Sequence, residues 1–112
     1  MSSLAQATCE PCTSGTPPLD SNACKTYQAA LPEWQIIDHD GIMKLTRRFT
    51  FRNFADALTF TQRVGELAEQ AGHHPSIVTE WGKATVTWWS HDIKGLHLND
   101  FILAARTDEV AE

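Results

Sequence analysis

Three of the chain's five histidines, His73, His74 and His91, fall in one short stretch, with the carboxylates Glu69 and Asp100 on either side. Imidazole is the side chain best suited to move protons near neutral pH, because its unperturbed pKa is about 6.5. Carboxylates near such rings can hold them by hydrogen bonds. The chemistry these types point to is therefore general acid–base catalysis. His73 and His74 are adjacent, so both cannot face a core, and at least one is expected to be accessible.

The elements that must carry these residues follow from periodicity and turn signals. Asn53 caps a helix whose apolar positions Phe54, Ala57, Leu58, Thr61, Val64, Leu67, Ala68 and Ala71 recur near every 3.6 residues, and Gly72 stands where a terminating glycine belongs. His73-His74-Pro75 follows directly. A hairpin of strands 76–80 and 84–90, turning at Trp81-Gly82-Lys83, ends beside His91. If these strands pair antiparallel, His74 and His91 approach each other. Upstream, Asp20 or Ser21 caps a first helix with Ala23, Tyr27, Ala30 and Leu31 on one face, closed by Pro32. A strand over 34–37, a His39-Asp40-Gly41 turn and an alternating strand over 42–52 form another hairpin. Its Met43, Leu45, Phe49 and Phe51 point one way, and Lys44, Thr46, Arg48, Thr50 and Arg52 the other. A last helix over 98–110 turns Leu98, Phe101, Ile102 and Ala105 inward. The order helix-strand-strand-helix-strand-strand-helix, with half-wet strands, predicts an α+β two-layer sandwich. A four-stranded antiparallel sheet carries the helices on one face.

At 112 residues the chain suits one domain, expected over 20–112 behind a flexible tail over 1–19. The net charge of −5 disfavours phosphate backbones as partners, so no direct nucleic-acid contact is expected. No apolar run is long enough to span a bilayer and no secretory signal opens the chain, which predicts a cytoplasmic protein without membrane contact. Cys9, Cys12 and Cys24 do not read as a disulfide framework, and the lone CxxC lacks the second pair of a structural zinc site, so no metal is expected. There is no glycine-rich phosphate loop. His39 in its turn and His97 near a helix cap are assigned no catalytic role. Trp81 reads as a turn residue. Trp88 and Trp89 take opposite faces of their strand, one in the core and the other towards a cleft or an interface.

The string Glu69, three residues, His73-His74-Pro75, five residues, Trp81, nine residues, His91, eight residues, Asp100 resembles the signature of pterin-4a-carbinolamine dehydratases. The surrounding GHHPSIVTEWGKATVTWWSHDIKGLHLNDF resembles the bacterial branch, and the likeness extends over about 31–110. It implies a hydro-lyase that converts 4a-hydroxytetrahydropterin to quinonoid dihydropterin, recycling the pterin of aromatic amino-acid hydroxylases without a cofactor. By the family pattern, His73 and His91 match the acid and base positions and His74 a pterin-orienting one. Glu69 and Asp100 match supporting positions, while Ser90 and Asp92 flank His91 next to the pterin. Gly72 departs from animal members, which carry an acidic residue there. Asp100 has a competing reading as a cap of the last helix, and Glu69 as a solvated surface residue. The resemblance also implies a homodimer or homotetramer and an aromatic amino-acid hydroxylase as a partner. The alternative is a regulatory dimerisation module acting on a hydroxylase or a transcription factor.

Overall fold

The computed structural model describes residues 4–6 and 17–111. Helix α1 spans Ser21–Gln28, strands β1 and β2 span Gln35–His39 and Ile42–Thr50, and helix α2 spans Phe54–Ala71. Strands β3 and β4 span Ser76–Glu80 and Lys83–Trp88, and helix α3 spans Leu98–Ala111. All strand pairs are antiparallel in the order β1-β2-β4-β3, and the predicted α+β sequence of elements is the one observed.

Local chemistry accounts for most boundaries. Asp20 caps α1 by accepting the Ala23 N–H at 2.8 Å, and Asn53 caps α2 by accepting the Asp56 N–H at 2.8 Å. Asp40 and Gly41 both take positive φ, 55° and 82°, the backbone of a two-residue hairpin turn matched to strand twist. Several boundaries differ from the sequence expectation: α1 ends at Gln28, β1 runs on to His39 and β4 begins at Lys83. Strand β1 starts one residue late, because the Trp34 N–H is taken by Leu31 O in a turn at 3.0 Å. Strand β2 ends at Thr50. Strand β4 ends at Trp88, since Trp89 leaves the ladder and Ser90 pairs only with Gly95.

The core lies between the sheet and the helices, built on Trp34, Leu45, Phe49, Val64, Val86, Trp88 and Phe101. Burying one such side chain contributes about 1.5–3 kcal/mol, whereas an exposed pair such as Arg52–Asp56 gives about 0–1. Packing therefore dominates the stability. The buried indoles keep their N–H groups bonded: Trp34 Nε1 donates to Asp108 Oδ1 at 2.8 Å and Trp88 Nε1 to Thr107 Oγ1 at 3.1 Å. Arg47 shares the same Asp108 oxygen at 2.8 Å, tying β2 to the end of α3.

Two helix faces correct the sequence reading. On α2 the buried stripe is Ala57, Phe60, Val64 and Ala68, while Phe54 and Leu58 are 44% and 50% exposed. Leu58 lies about 100° around the helix from Ala57, which carries it off the stripe. Helix α3 is buried from Asn99 to Ala105 without a break, because the sheet, α1, α2 and the turn at Leu4–Gln6 all pack on it.

Cys9 and Cys12 lie outside the described residues. Leu4–Gln6 forms a 3-10 turn whose Ala5 carbonyl accepts Arg106 Nε at 3.1 Å, and Leu19 N–H donates to Leu96 O at 2.8 Å. No helix among the described residues is long and apolar enough to cross a membrane.

A methyl group added at Gly95 would stand 3.0 Å from Pro18 Cβ, where the N-terminal segment crosses the loop after β4. Gly95→Ala is expected to lower stability by about 1–3 kcal/mol, read as a reduced urea midpoint at unchanged slope. Cys24 is buried, and burial first, then the charges of Asp20 and Asp100, push its thiol above the usual pKa. Little thiolate exists at neutral pH, so in a Cys9→Ser, Cys12→Ser background a disulfide reagent should label Cys24 far more slowly in the native protein than in urea.

Candidate active site

The site begins where α2 stops. Gly72 takes φ +65°, its N–H donates to Glu69 O, and the His73 N–H donates to Ala68 O, both at 3.2 Å. This paired helix ending needs a left-handed residue, which glycine supplies without strain. The chain reverses into His73-His74-Pro75 and then β3. Ile77 and Thr79 are half-buried, and the odd-numbered side of this alternation carries His73 inward as well. The His73 side chain is 14% exposed and that of His74 60%.

Asp100 is the fixed point of the inner side, with 0% exposure. Its Oδ1 accepts His73 Nε2–H at 2.7 Å, and its Oδ2 accepts the Ser90 hydroxyl at 2.8 Å and the His97 N–H at 2.9 Å. His97 Nδ1 in turn accepts the Asn99 N–H at 3.0 Å. His97 and Asp100 thus form a reciprocal cap at the start of α3. The structure shows the cap and also joins Asp100 to His73, one oxygen meeting His73 and the other the cap and Ser90. A carboxylate only accepts, so the His73 proton sits on Nε2 and the lone pair on Nδ1. The imidazole lies over Trp88 with ring centres 5.9 Å apart and planes 20° from parallel.

His91 is placed from the other side. Ser90 and Gly95 exchange backbone hydrogen bonds at 2.8 and 3.4 Å, closing a tight loop in which Lys94 takes φ 52°. His91 opens this loop and is exposed, and its Nε2–H donates to the backbone carbonyl of His74 at 3.1 Å. That carbonyl can only accept, so His91 too keeps its lone pair on Nδ1. On neither ring does Nδ1 have a partner among the described residues. His74 Nε2 meets Glu69 Oε1 at 2.6 Å, an exposed pair that orients more than it stabilises.

The fold thus gathers His73, His74, His91, Glu69, Ser90 and Asp100. Ser90 is 1% exposed and its hydroxyl is committed to Asp100, so it holds the carboxylate. Gly72 acts through its backbone. Asp92 is exposed and makes no side-chain bond among the described residues. Trp81 is 70% exposed in the turn at the far end of β3. Of the two tryptophans read on opposite faces, Trp88 is the buried one and Trp89 stacks on His91 at 4.4 Å and 14°; the neighbour that escaped the sequence reading is Lys44, whose Nζ lies 3.9 Å from the Trp89 ring centre. Alternation puts Lys44 on the wet face, but only the β2–β4 register, Leu45 opposite Trp88, brings it beside Trp89. A surface depression of about 330 Å³ lined by Glu33, Arg47, Arg48, Phe49, Thr50, Phe51 and Ala111 holds none of these histidines. Among the described residues, no group of three or more His, Cys, Asp or Glu is arranged to hold a metal ion.

The family model for pterin 4 alpha carbinolamine dehydratase matches residues 17–110. Two relatives, both named "Putative pterin-4-alpha-carbinolamine dehydratase", come from Microcystis aeruginosa and Syntrophotalea carbinolica. The first is 49% identical over 110 residues, 98% of this chain and 95% of its own. The second is 52% identical over 112 residues, the whole of both chains. Among solved structures, a transcriptional coactivator/pterin dehydratase from Brucella melitensis superposes with a TM-score of 0.78 at 27% identity, covering 85% of this chain and 99% of that one. A pterin dehydratase-like protein identified as a RuBisCO assembly factor in the alpha-carboxysome gives 0.60 at 24% identity, covering 70% and 89%, a likeness of fold. With one family pattern spanning nearly all described residues and relatives at about half identity over full length, this chain belongs to the pterin 4 alpha carbinolamine dehydratase family.

Proposed function

We propose that this chain dehydrates 4a-hydroxytetrahydropterin to quinonoid dihydropterin by histidine acid–base catalysis, returning pterin to aromatic amino-acid hydroxylases. The observation that carries the reading is the common state of His73 and His91. Each ring is fixed through Nε2–H, one on the Asp100 carboxylate and one on the His74 carbonyl, and each keeps Nδ1 for a substrate proton. Hydroxide leaves poorly, so one imidazolium protonates the 4a-oxygen as the C4a–O bond breaks. The other imidazole takes the N5 proton as the C4a–N5 double bond forms. One proton is given and one taken, and the net loss is water.

In this scheme His73 and His91 are the acid–base pair, and His74, held by Glu69, orients the pterin. Asp100, fully buried, is a positioning residue acting through His73, and Ser90 supports it. Asp92, exposed beside His91, and the bare backbone at Gly72 border the pterin. Proton transfer is chemistry the histidines supply themselves, so no cofactor is invoked. The cytoplasm is the proposed compartment. Strands β1 and β3 are sheet edges, and pairing or covering them in a homo-oligomer is the proposed assembly. A second reading, a protein-binding module, is favoured by the exposed apolar side chains Phe54, Leu58 and Trp81.

The test is the ultraviolet absorbance change on dehydration of freshly generated 4a-hydroxytetrahydropterin, against the spontaneous rate. His73→Ala and His91→Ala are expected to lose about 10²–10⁴-fold in kcat, while His74→Ala acts mainly on KM. Circular dichroism checks that each variant is folded. A folded wild-type protein that gives only the spontaneous rate overturns the enzymatic reading and leaves the binding module.

A further inference from the structure

His91 is exposed and sits on a loop, so one hydrogen bond to a backbone carbonyl leaves its ring free to swing about that bond. The second constraint is Trp89, whose indole lies nearly parallel to the imidazole at 4.4 Å. A bond that sets the N–H direction and a stack that sets the plane together leave Nδ1 one direction. Trp89 has itself left the β4 ladder and, though it packs in part against the core, is only half-buried, so a further contact steadies it. Lys44 supplies that contact: its ammonium lies 3.9 Å from the indole centre, within cation–π range. The ammonium is anchored in turn on His39, donating to Nδ1 at 3.0 Å. The antiparallel registers explain the assembly. Ile37 pairs with Lys44 and Leu45 with Trp88, so His39, Lys44 and Trp89 follow one another across the outer face of the sheet.

We propose that Trp89, held in place by Lys44, is the positioning residue for His91, fixing the imidazole plane by stacking so that Nδ1 is aimed for proton transfer. The inference rests on the acid–base reading of His91 above. It assigns Lys44 and Trp89 to the reaction though neither supplies a proton. A ring misdirected by even a small angle loses much of the advantage of a positioned catalyst.

Two readouts separate positioning from bulk structure. The first is steady-state dehydratase kinetics of Trp89→Ala, Trp89→Phe, Lys44→Met and Lys44→Arg. Trp89→Ala is expected to lower kcat about ten-fold or more with KM within about two-fold, and Trp89→Phe, which keeps a ring face, to recover most of that loss. Lys44→Met should show a smaller kcat loss that Lys44→Arg repairs, since guanidinium also stacks on indole. The second readout is the mobility of the His91 ring by NMR relaxation, which needs no turnover. Wild type should show a rigid ring, and Trp89→Ala a ring that swings on the His74 carbonyl with its proton still on Nε2. If the His91 ring stays rigid in Trp89→Ala, or if kcat is unchanged there, the proposal is overturned. If Trp89→Phe is as impaired as Trp89→Ala, stacking is not the cause and the proposal falls. If wild type lacks dehydratase activity, the acid–base reading fails by itself, and a rigid or mobile ring in Trp89→Ala still decides whether Trp89 sets the ring.

Discussion

A single buried carboxylate organises this molecule. Asp100 has no contact with water, and a buried charge costs several kcal/mol unless donors replace its hydration. Three donors do so, and each comes from a different part of the chain: His73 just after α2, Ser90 just after β4, and the His97 backbone at the start of α3. Satisfying Asp100 therefore joins the end of one helix, the exit of a strand and the first turn of another helix. Removing any donor would leave an expensive vacancy, so the requirement to solvate one charge also sets the geometry of the His73 imidazole.

The two sides of the site are built by different physics. His73 lies against Trp88 and a fully buried carboxylate, so packing and a charge-assisted hydrogen bond fix it. His91 sits in an exposed loop, where a neutral hydrogen bond and ring stacking do the same with smaller forces. His74 bridges the two: its side chain points to solvent, while its carbonyl holds His91. Adjacent residues thus serve opposite faces because the chain becomes extended as soon as Gly72 ends the helix.

The supports of the site reach beyond the histidines to two glycines. Gly72 sets where His73 starts, and Gly95, pressed against Pro18, keeps the His91 loop closed. These positions place the segments that carry the imidazoles.

Much of this was legible in the residues because it is encoded locally. Asn53 and Gly72 mark the ends of α2 within a few positions of the bonds they make, and Asp40-Gly41 marks the first hairpin by backbone preference alone. The histidine and carboxylate types point to acid–base chemistry. What tertiary structure decided depends on segments far apart in the chain. Which stripe of α2 is buried was settled by the sheet beneath it, which takes Phe60 and leaves Leu58 in water. Asp100 became both cap and anchor only when His73 and Ser90 arrived at its two oxygens. Lys44 and Trp89 became neighbours only through the β2–β4 register, because hydrogen-bonded pairing across a sheet depends on which strands meet and in what alignment, and short-range sequence signals carry neither.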